Sequence, residues 1–214
     1  MLLITIYVLL LICLFAITDF IKDRLLIDSN SSRKIVHIAS CLTVCTFPYT
    51  LKNIEIYLIC FIFVLITSFT KYKGVFKSIH SVNRITFGAE AYPIGVLIAT
   101  YYFLPLDKTA FIYGILVGGF SDSMASVIGK YYGYREIVVF GQKKSLGGSL
   151  SFFITTVIIS YSIIFILGIE MNIISILIIA FILTLAELVQ TFGLDNVTIP
   201  VLSGMTLNYF KYAI

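Results

Sequence analysis

Seven runs of mostly apolar residues, each near the length needed to cross a bilayer, constrain this chain more than any other feature. They lie at 2–19, 35–51, 54–69, 86–104, 108–129, 149–168 and 171–189, and a helix needs about 20 such residues to cover the hydrocarbon core. An eighth stretch, 197–210, is shorter and carries Pro200 and Gly204, so it is expected to span with a kink or to be partly re-entrant. Hydrocarbon offers no partner for backbone N–H and C=O groups, so such runs must satisfy them internally as helices. The expected fold is therefore all-α: a polytopic integral membrane bundle of about seven or eight transmembrane helices, a single domain over 1–214. Only 12% of residues are charged and 59% are hydrophobic, against roughly a quarter charged in a soluble domain, which excludes a soluble enzyme.

The basic residues alternate between connectors. Four fall between the first and second spans (Lys22, Arg24, Arg33, Lys34), four between the third and fourth (Lys71, Lys73, Lys77, Arg84), and four between the fifth and sixth (Lys130, Arg135, Lys143, Lys144). The second-to-third and fourth-to-fifth connectors carry one each, Lys52 and Lys108, and the sixth-to-seventh carries none. By the positive-inside rule the odd-numbered connectors are cytoplasmic and the amino terminus is outside. Positive charge spread over short connectors gives no nucleic-acid footprint. Cys13, Cys41, Cys45 and Cys60 sit inside apolar runs without zinc-site spacing and read as small apolar side chains. The first apolar run has no basic start and no small-residue cleavage site, so it reads as a retained helix rather than a signal peptide.

Ionisable groups inside spans are costly and mark function by default. His37, Glu90, Asp122 and Glu187, with the Asp195-Asn196 pair after the seventh span, all fall at the helix ends on the side that carries the twelve basic residues. Asp122 stands seven residues before Gly129, about 10 Å along a helix, in a stripe with Gly114, Gly118, Ala125 and Gly129. Small residues at that spacing let a neighbouring helix or a ligand approach closely; ordinary helix packing accounts for the glycines but not for the carboxylate. Neutralising Asp122 is expected to leave stability near that of the parent, because a buried charge costs desolvation.

The run KKSLGG at 143–148 places Lys143, Lys144, Ser145, Gly147 and Gly148 at the start of the sixth span. Glycines, a hydroxyl and backbone N–H groups at a helix start suit a phosphate, although basic residues there also serve topology alone, and GxxxxGK[ST] is absent. Arg33 and His37 share a helix face with Lys34 beside them. Phosphate contact and interfacial snorkelling are both compatible with that pattern.

The order of motifs resembles the polyprenol, phytol and diacylglycerol kinase family, membrane enzymes that are typically CTP-dependent. The stretches that carry the resemblance are RKIVH at 33–37, RITFGAEAYPIG at 84–95, SDSMASVIGKYYG at 121–133, KKSLGGSLSFF at 143–153 and AELVQTFGLDNVTIP at 186–200. Many relatives have Glu at the position of Gly147, and eukaryotic dolichol kinases have further amino-terminal spans. The resemblance implies phosphoryl transfer from CTP to a membrane lipid alcohol at the cytoplasmic face. Asp122, Asp195, Asn196 and Glu187 would then serve Mg²⁺, and Arg33, Lys34, Lys143, Lys144, Ser145, Gly147, Gly148 and Gly129 the nucleotide. Asp122, Glu90 and His37 are the candidates for activating the hydroxyl. CDP-diacylglycerol synthases are also similar, through an Asp-helix-Gly stretch followed by a Lys-Lys segment, so cytidylyl transfer is the alternative. A small transporter is a third reading, which acids spread through both leaflets would favour.

Overall fold

The computed structural model describes residues 1–80, 86–140 and 142–212. Arg84 and Ile85, with which the RITFGAEAYPIG stretch begins, and the side chain of Lys77 lie outside the described residues. The described chain is helical apart from one short hairpin.

The first half comprises α1 (Leu2–Leu25), α2 (Ser29–Val44), a single turn α3 (Phe47–Thr50), α4 (Asn53–Lys73), a second short turn α5 (Lys77–His80) and α6 (Gly88–Phe103). The second half continues with α7 (Lys108–Leu116), a π-helical turn over Val117–Ser121, α8 (Asp122–Tyr131), α9 (Leu146–Leu167), α10 (Ile173–Val189) and α11 (Asp195–Tyr212). Polar residues start these helices. The Asp28 carboxylate accepts the N–H groups of Asn30 and Ser31 at 3.1 and 3.2 Å, and Ser145 and Asn172 cap α9 and α10 in the same way. Each satisfies donors that a helix start leaves orphaned.

Among the described residues, four helices are long and apolar enough to cross a membrane: Leu2–Leu25, Asn53–Lys73, Lys108–Tyr131 and Leu146–Leu167; Ile173–Val189 is apolar but shorter. These features make the chain an integral membrane protein. The second expected span is instead a 16-residue helix that begins six residues early, at Ser29, and breaks after Val44. The fourth is also 16 residues. Large apolar side chains such as Leu9, Phe61, Leu65, Ile158 and Phe181 face outward, as lipid-facing positions do.

The polar connector before α9 departs from the expected loop. Glu136–Val139 (β1) and Gln142–Ser145 (β2) pair antiparallel, with Glu136 opposite Ser145. The eighth stretch is one helix, α11, which runs through Pro200. Proline lacks an N–H and so frees the Asn196 carbonyl, and Gly95 of α6 packs against that carbonyl. Gly114 of α7 lies on the Pro200 carbonyl, and a Cβ at Gly118 would come within 2.7 Å of Pro200 Cγ. Small residues on α6 and on the α7–α8 rod thus admit α11 between them. Two apolar cores result. One joins α1, α2, α4 and α6 around Phe15, Ile59, Phe63 and Val96; the other gathers Tyr113, Phe152, Leu183 and Ile199.

Candidate active site

The π turn divides the small-residue stripe. Gly114 and Gly118, before and within it, face Pro200, whereas Asp122, Ala125 and Gly129, after it, border an open cavity of about 260 Å³. One extra residue in the turn rotates the following helix relative to the preceding one, so the stripe serves two surfaces.

Four lysines, Lys34, Lys130, Lys143 and Lys144, and four carboxylates, Asp122, Glu136, Glu187 and Asp195, line this cavity. Most of them are held in ion pairs. Lys34 of α2 donates to Asp122 across 88 residues of sequence, and their side chains are 8% and 11% exposed. Lys144 of β2 donates to the Glu187 carboxylate and, at 3.0 Å, to the Glu187 main-chain carbonyl at the end of α10. Both pairs are withdrawn from bulk water, where an ionic group survives only if paired and hydrogen-bonded. Lys143, by contrast, reaches the Glu136 carboxylate at 3.0 Å on the exposed rim of the hairpin. Lys130 bonds Asp28 at 2.9 Å, tying the end of α8 to the start of α2. Outside the membrane-spanning segments, the Ser31 hydroxyl and then Lys130 hold the Asp28 carboxyl down at about 2.

Ser145 and the two glycines shape the cavity wall rather than leaving a row of open donors. The Ser145 hydroxyl accepts the Gly148 N–H at 3.1 Å. A Cβ at Gly148 would lie 2.9 Å from the Ala125 carbonyl, one at Gly147 2.6 Å from the Tyr132 carbonyl, and one at Gly129 2.9 Å from the Ser145 hydroxyl. These glycines therefore let α9 start in contact with α8. Gly148, Gly129 and Ser145 line the cavity; Gly147 does not.

Asp122, Asp195 and Lys34 also form one wall of a second, smaller cavity, of about 60 Å³, with Arg33, His37 and Asn196. His37 Nε2 lies 3.3 Å from the Gly118 carbonyl oxygen. A carbonyl only accepts, so Nε2 carries the proton and Nδ1 keeps the lone pair. The ring meets Tyr92 edge-on at 4.8 Å. The Asn196 amide donates to the Gly88 carbonyl at 2.8 Å.

Glu90 is not brought to this group. It pairs with Lys71 of α4 at 2.8 Å and borders neither cavity. Sequence reasoning also missed contributors to the first cavity, among them Ser126, Glu136, Gln142 and Ser149. A hairpin carrying Glu136 and Gln142 back over a helix end has no strong signature in EIVVFGQKK.

No family model matches the chain, and no solved structure matches it. It is similar to a phytol kinase of Synechocystis sp., 32% identical over 142 residues that cover 61% of this chain and 58% of that protein. The chain thus spans somewhat more than half the length of that relative. The similarity supports the phytol and polyprenol kinase-like family that the order of motifs resembles.

Proposed function

We propose that this chain, as a phytol and polyprenol kinase-like protein, transfers the terminal phosphate of CTP to the hydroxyl of a membrane lipid alcohol at the cytoplasmic face. One observation carries the reading: the Lys34–Asp122 and Lys144–Glu187 pairs, Lys143 and Asp195 surround a single open cavity in a chain otherwise made for lipid. The similarity to a phytol kinase supports the choice of a lipid alcohol as acceptor. Convergence of the acids on one cavity favours catalysis over a transport path, which needs polar groups through both leaflets. Seven or eight spans with the amino terminus outside remain our topology, supported by the alternation of basic residues.

In the transfer, the alcohol oxygen bonds to the terminal phosphorus as the bond from that phosphorus to its bridging oxygen breaks, and the hydroxyl proton passes to a base. Such reactions depend on positioning and on neutralising oxygen charge. Lys34, Lys143 and Lys144 hold the phosphate oxygens, with Arg33 approaching from the second cavity. His37 Nδ1 and Asp122 are the bases that border the acceptor side; Glu90, held by Lys71, is left out of the proton transfer.

Mg²⁺ fits the donor set. It takes one or two carboxylates with water and substrate phosphates rather than an all-protein cage, and Asp122 and Asp195 border the same cavity as the lysines. Asp122 and Asp195 would hold it, with Glu187 and Asn196 in support, and it would neutralise the charge of the triphosphate. The test is a lipid panel with purified protein, Mg²⁺ and labelled CTP or ATP. Release of CDP with a lipid monophosphate supports the reading. Release of pyrophosphate with a CDP-lipid establishes the cytidylyltransferase alternative.

A further inference from the structure

The hairpin before α9 exposes the apolar residues at its tip. Ile137, Val138 and Phe140 all face outward, Val138 at 70% and Phe140 at 76% exposure. The stretch IVVF at 137–140 holds no charge, in a connector that elsewhere carries Lys130, Arg135, Glu136, Lys143 and Lys144. Phe140 also has a left-handed backbone, with φ 46°, which Gly or Asn adopts at little cost and a bulky side chain does not. An aromatic ring held outward at a backbone cost calls for a partner beyond the hairpin.

We propose that this tip docks into the interface of the membrane that the chain spans. β2 runs into α9 without an intervening residue, and the Leu146 N–H donates to the Tyr134 and Arg135 carbonyls at 3.1 and 3.3 Å. Both ends of the hairpin are thus fastened to the first residue of α9. That helix turns Leu146, Leu150, Ile154 and Ile158, each one turn from the next, to the outside, so its lipid-facing stripe begins where the hairpin ends. Four residues of strand extend at most about 13 Å, and the headgroup zone on each side of the core is about 5–8 Å deep, so a tip rooted at Leu146 is within reach of it. The residues that lead into the hairpin, Tyr131, Tyr132, Tyr134 and Arg135, are exposed, with the Arg135 guanidinium 5.4 Å from the centre of the Tyr134 ring. Aromatic rings beside basic groups are the composition of a membrane interface, and the arginine suits anionic headgroups. An uncharged tip offers nothing to a triphosphate, which argues against a lid. Glu136, Gln142, Lys143 and Lys144 of the same hairpin line the polar cavity, so docking would fix one wall of that cavity to the bilayer surface. That consequence for a phosphate donor rests on the kinase reading, whereas the docking itself does not.

The chain has no tryptophan, so Phe140→Trp and Val138→Trp each supply a single reporter. The whole protein is reconstituted into phosphatidylcholine vesicles with and without phosphatidylglycerol, and into the same vesicles with brominated acyl chains. Ile158→Trp, on the outward stripe of α9, is the reference for lipid contact. Both tip reporters should emit to the blue of free tryptophan, resist acrylamide and be quenched by brominated lipid, more strongly when phosphatidylglycerol is present. Phe140→Asn keeps the left-handed turn but removes the ring, and in the Val138→Trp background it should abolish most of that quenching. Emission like that of free tryptophan, open to acrylamide and untouched by brominated lipid, would overturn the docking. Shielding that appears only with CTP and Mg²⁺, or only at high protein-to-lipid ratio, and without quenching by brominated lipid, would overturn it in favour of a lid or of a contact between copies. Quenching by brominated lipid in a protein that phosphorylates no alcohol would keep the docking and remove the kinase reading alone. Should Phe140→Trp fail to fold, Val138→Trp decides.

Discussion

Asp122→Asn tests catalysis and packing together, because the structure gives the carboxylate a buried partner. The isosteric amide can still accept a hydrogen bond but carries no charge. Lys34, with a side chain only 8% exposed, would then be left buried without its counter-ion. Removing one partner of a buried pair costs about 3–5 kcal/mol, whereas replacing both with apolar groups is often neutral. The expectation from sequence, that neutralising Asp122 would spare stability, is therefore reversed: the variant should lose about 3 kcal/mol in detergent, near the low end of that range because the cavity admits water. Lys34→Met with Asp122→Asn should recover most of the loss. Activity should follow a different rule. Turnover should fall by about two decades or more in the single variant, the scale of a lost electrostatic group, and the double variant should not restore it. Thermal unfolding and phosphorylation assays on the parent, both single variants and the double variant provide the four corners of the cycle. An Asp122→Asn protein with parental turnover refutes the catalytic role, and a double variant no more stable than either single one refutes the buried pair.

The two adjacent lysines should behave differently. Lys143→Ala, on an exposed pair, should leave the melting temperature nearly unchanged and raise the nucleotide KM, whereas Lys144→Ala should also lower the melting temperature by uncovering Glu187. Asp28→Asn should destabilise the protein at neutral pH, with the difference from the parent fading as pH falls. The folded carboxyl, lowered to about 2, contributes stability above the ordinary carboxylate value of about 4 and loses it on protonation; a gap in melting temperature that stays constant between pH 7 and pH 3 would contradict this. Gly118→Val should lower stability by about 1–3 kcal/mol through crowding of Pro200, read by thermal unfolding. Single cysteines at 143 should be labelled from the cytoplasm, and those at 52 and 108 from outside; labelling of 52 and 143 from one side would remove the proposed topology.

Apolar length was enough to find most helices here, since lipid imposes its constraint locally, residue by residue. Where that failed, the competing signal was also local. Hydropathy starts the second helix at 35, yet Asp28 caps it at Ser29, so Arg33 and Lys34 lie within its opening turns rather than before it. The acids Asp122, Glu187 and Asp195 were found because charge near a span is anomalous. Their partners were not, because nothing in a single sequence says that Lys34 and Asp122, 88 residues apart, meet, or that Glu90 turns to Lys71. The π turn at Val117–Ser121 was equally hidden. A helical wheel continued across it places Gly118 and Asp122 one turn apart on one face, and the structure sends them to different neighbours.

The shared wall of Lys34, Asp122 and Asp195 has a kinetic consequence. A polar cavity opens on one side of it and a smaller, more apolar one on the other. In the proposed reaction, a water-borne donor and a lipid-borne acceptor loaded from opposite sides would not block each other's entry, and neither would have to leave before the other arrives. The proposed reaction would then run through a ternary complex with random order of addition rather than through a phosphorylated intermediate. Double-reciprocal plots would intersect, the nucleoside diphosphate product would compete only with its triphosphate, and the phosphorylated lipid would compete only with the alcohol.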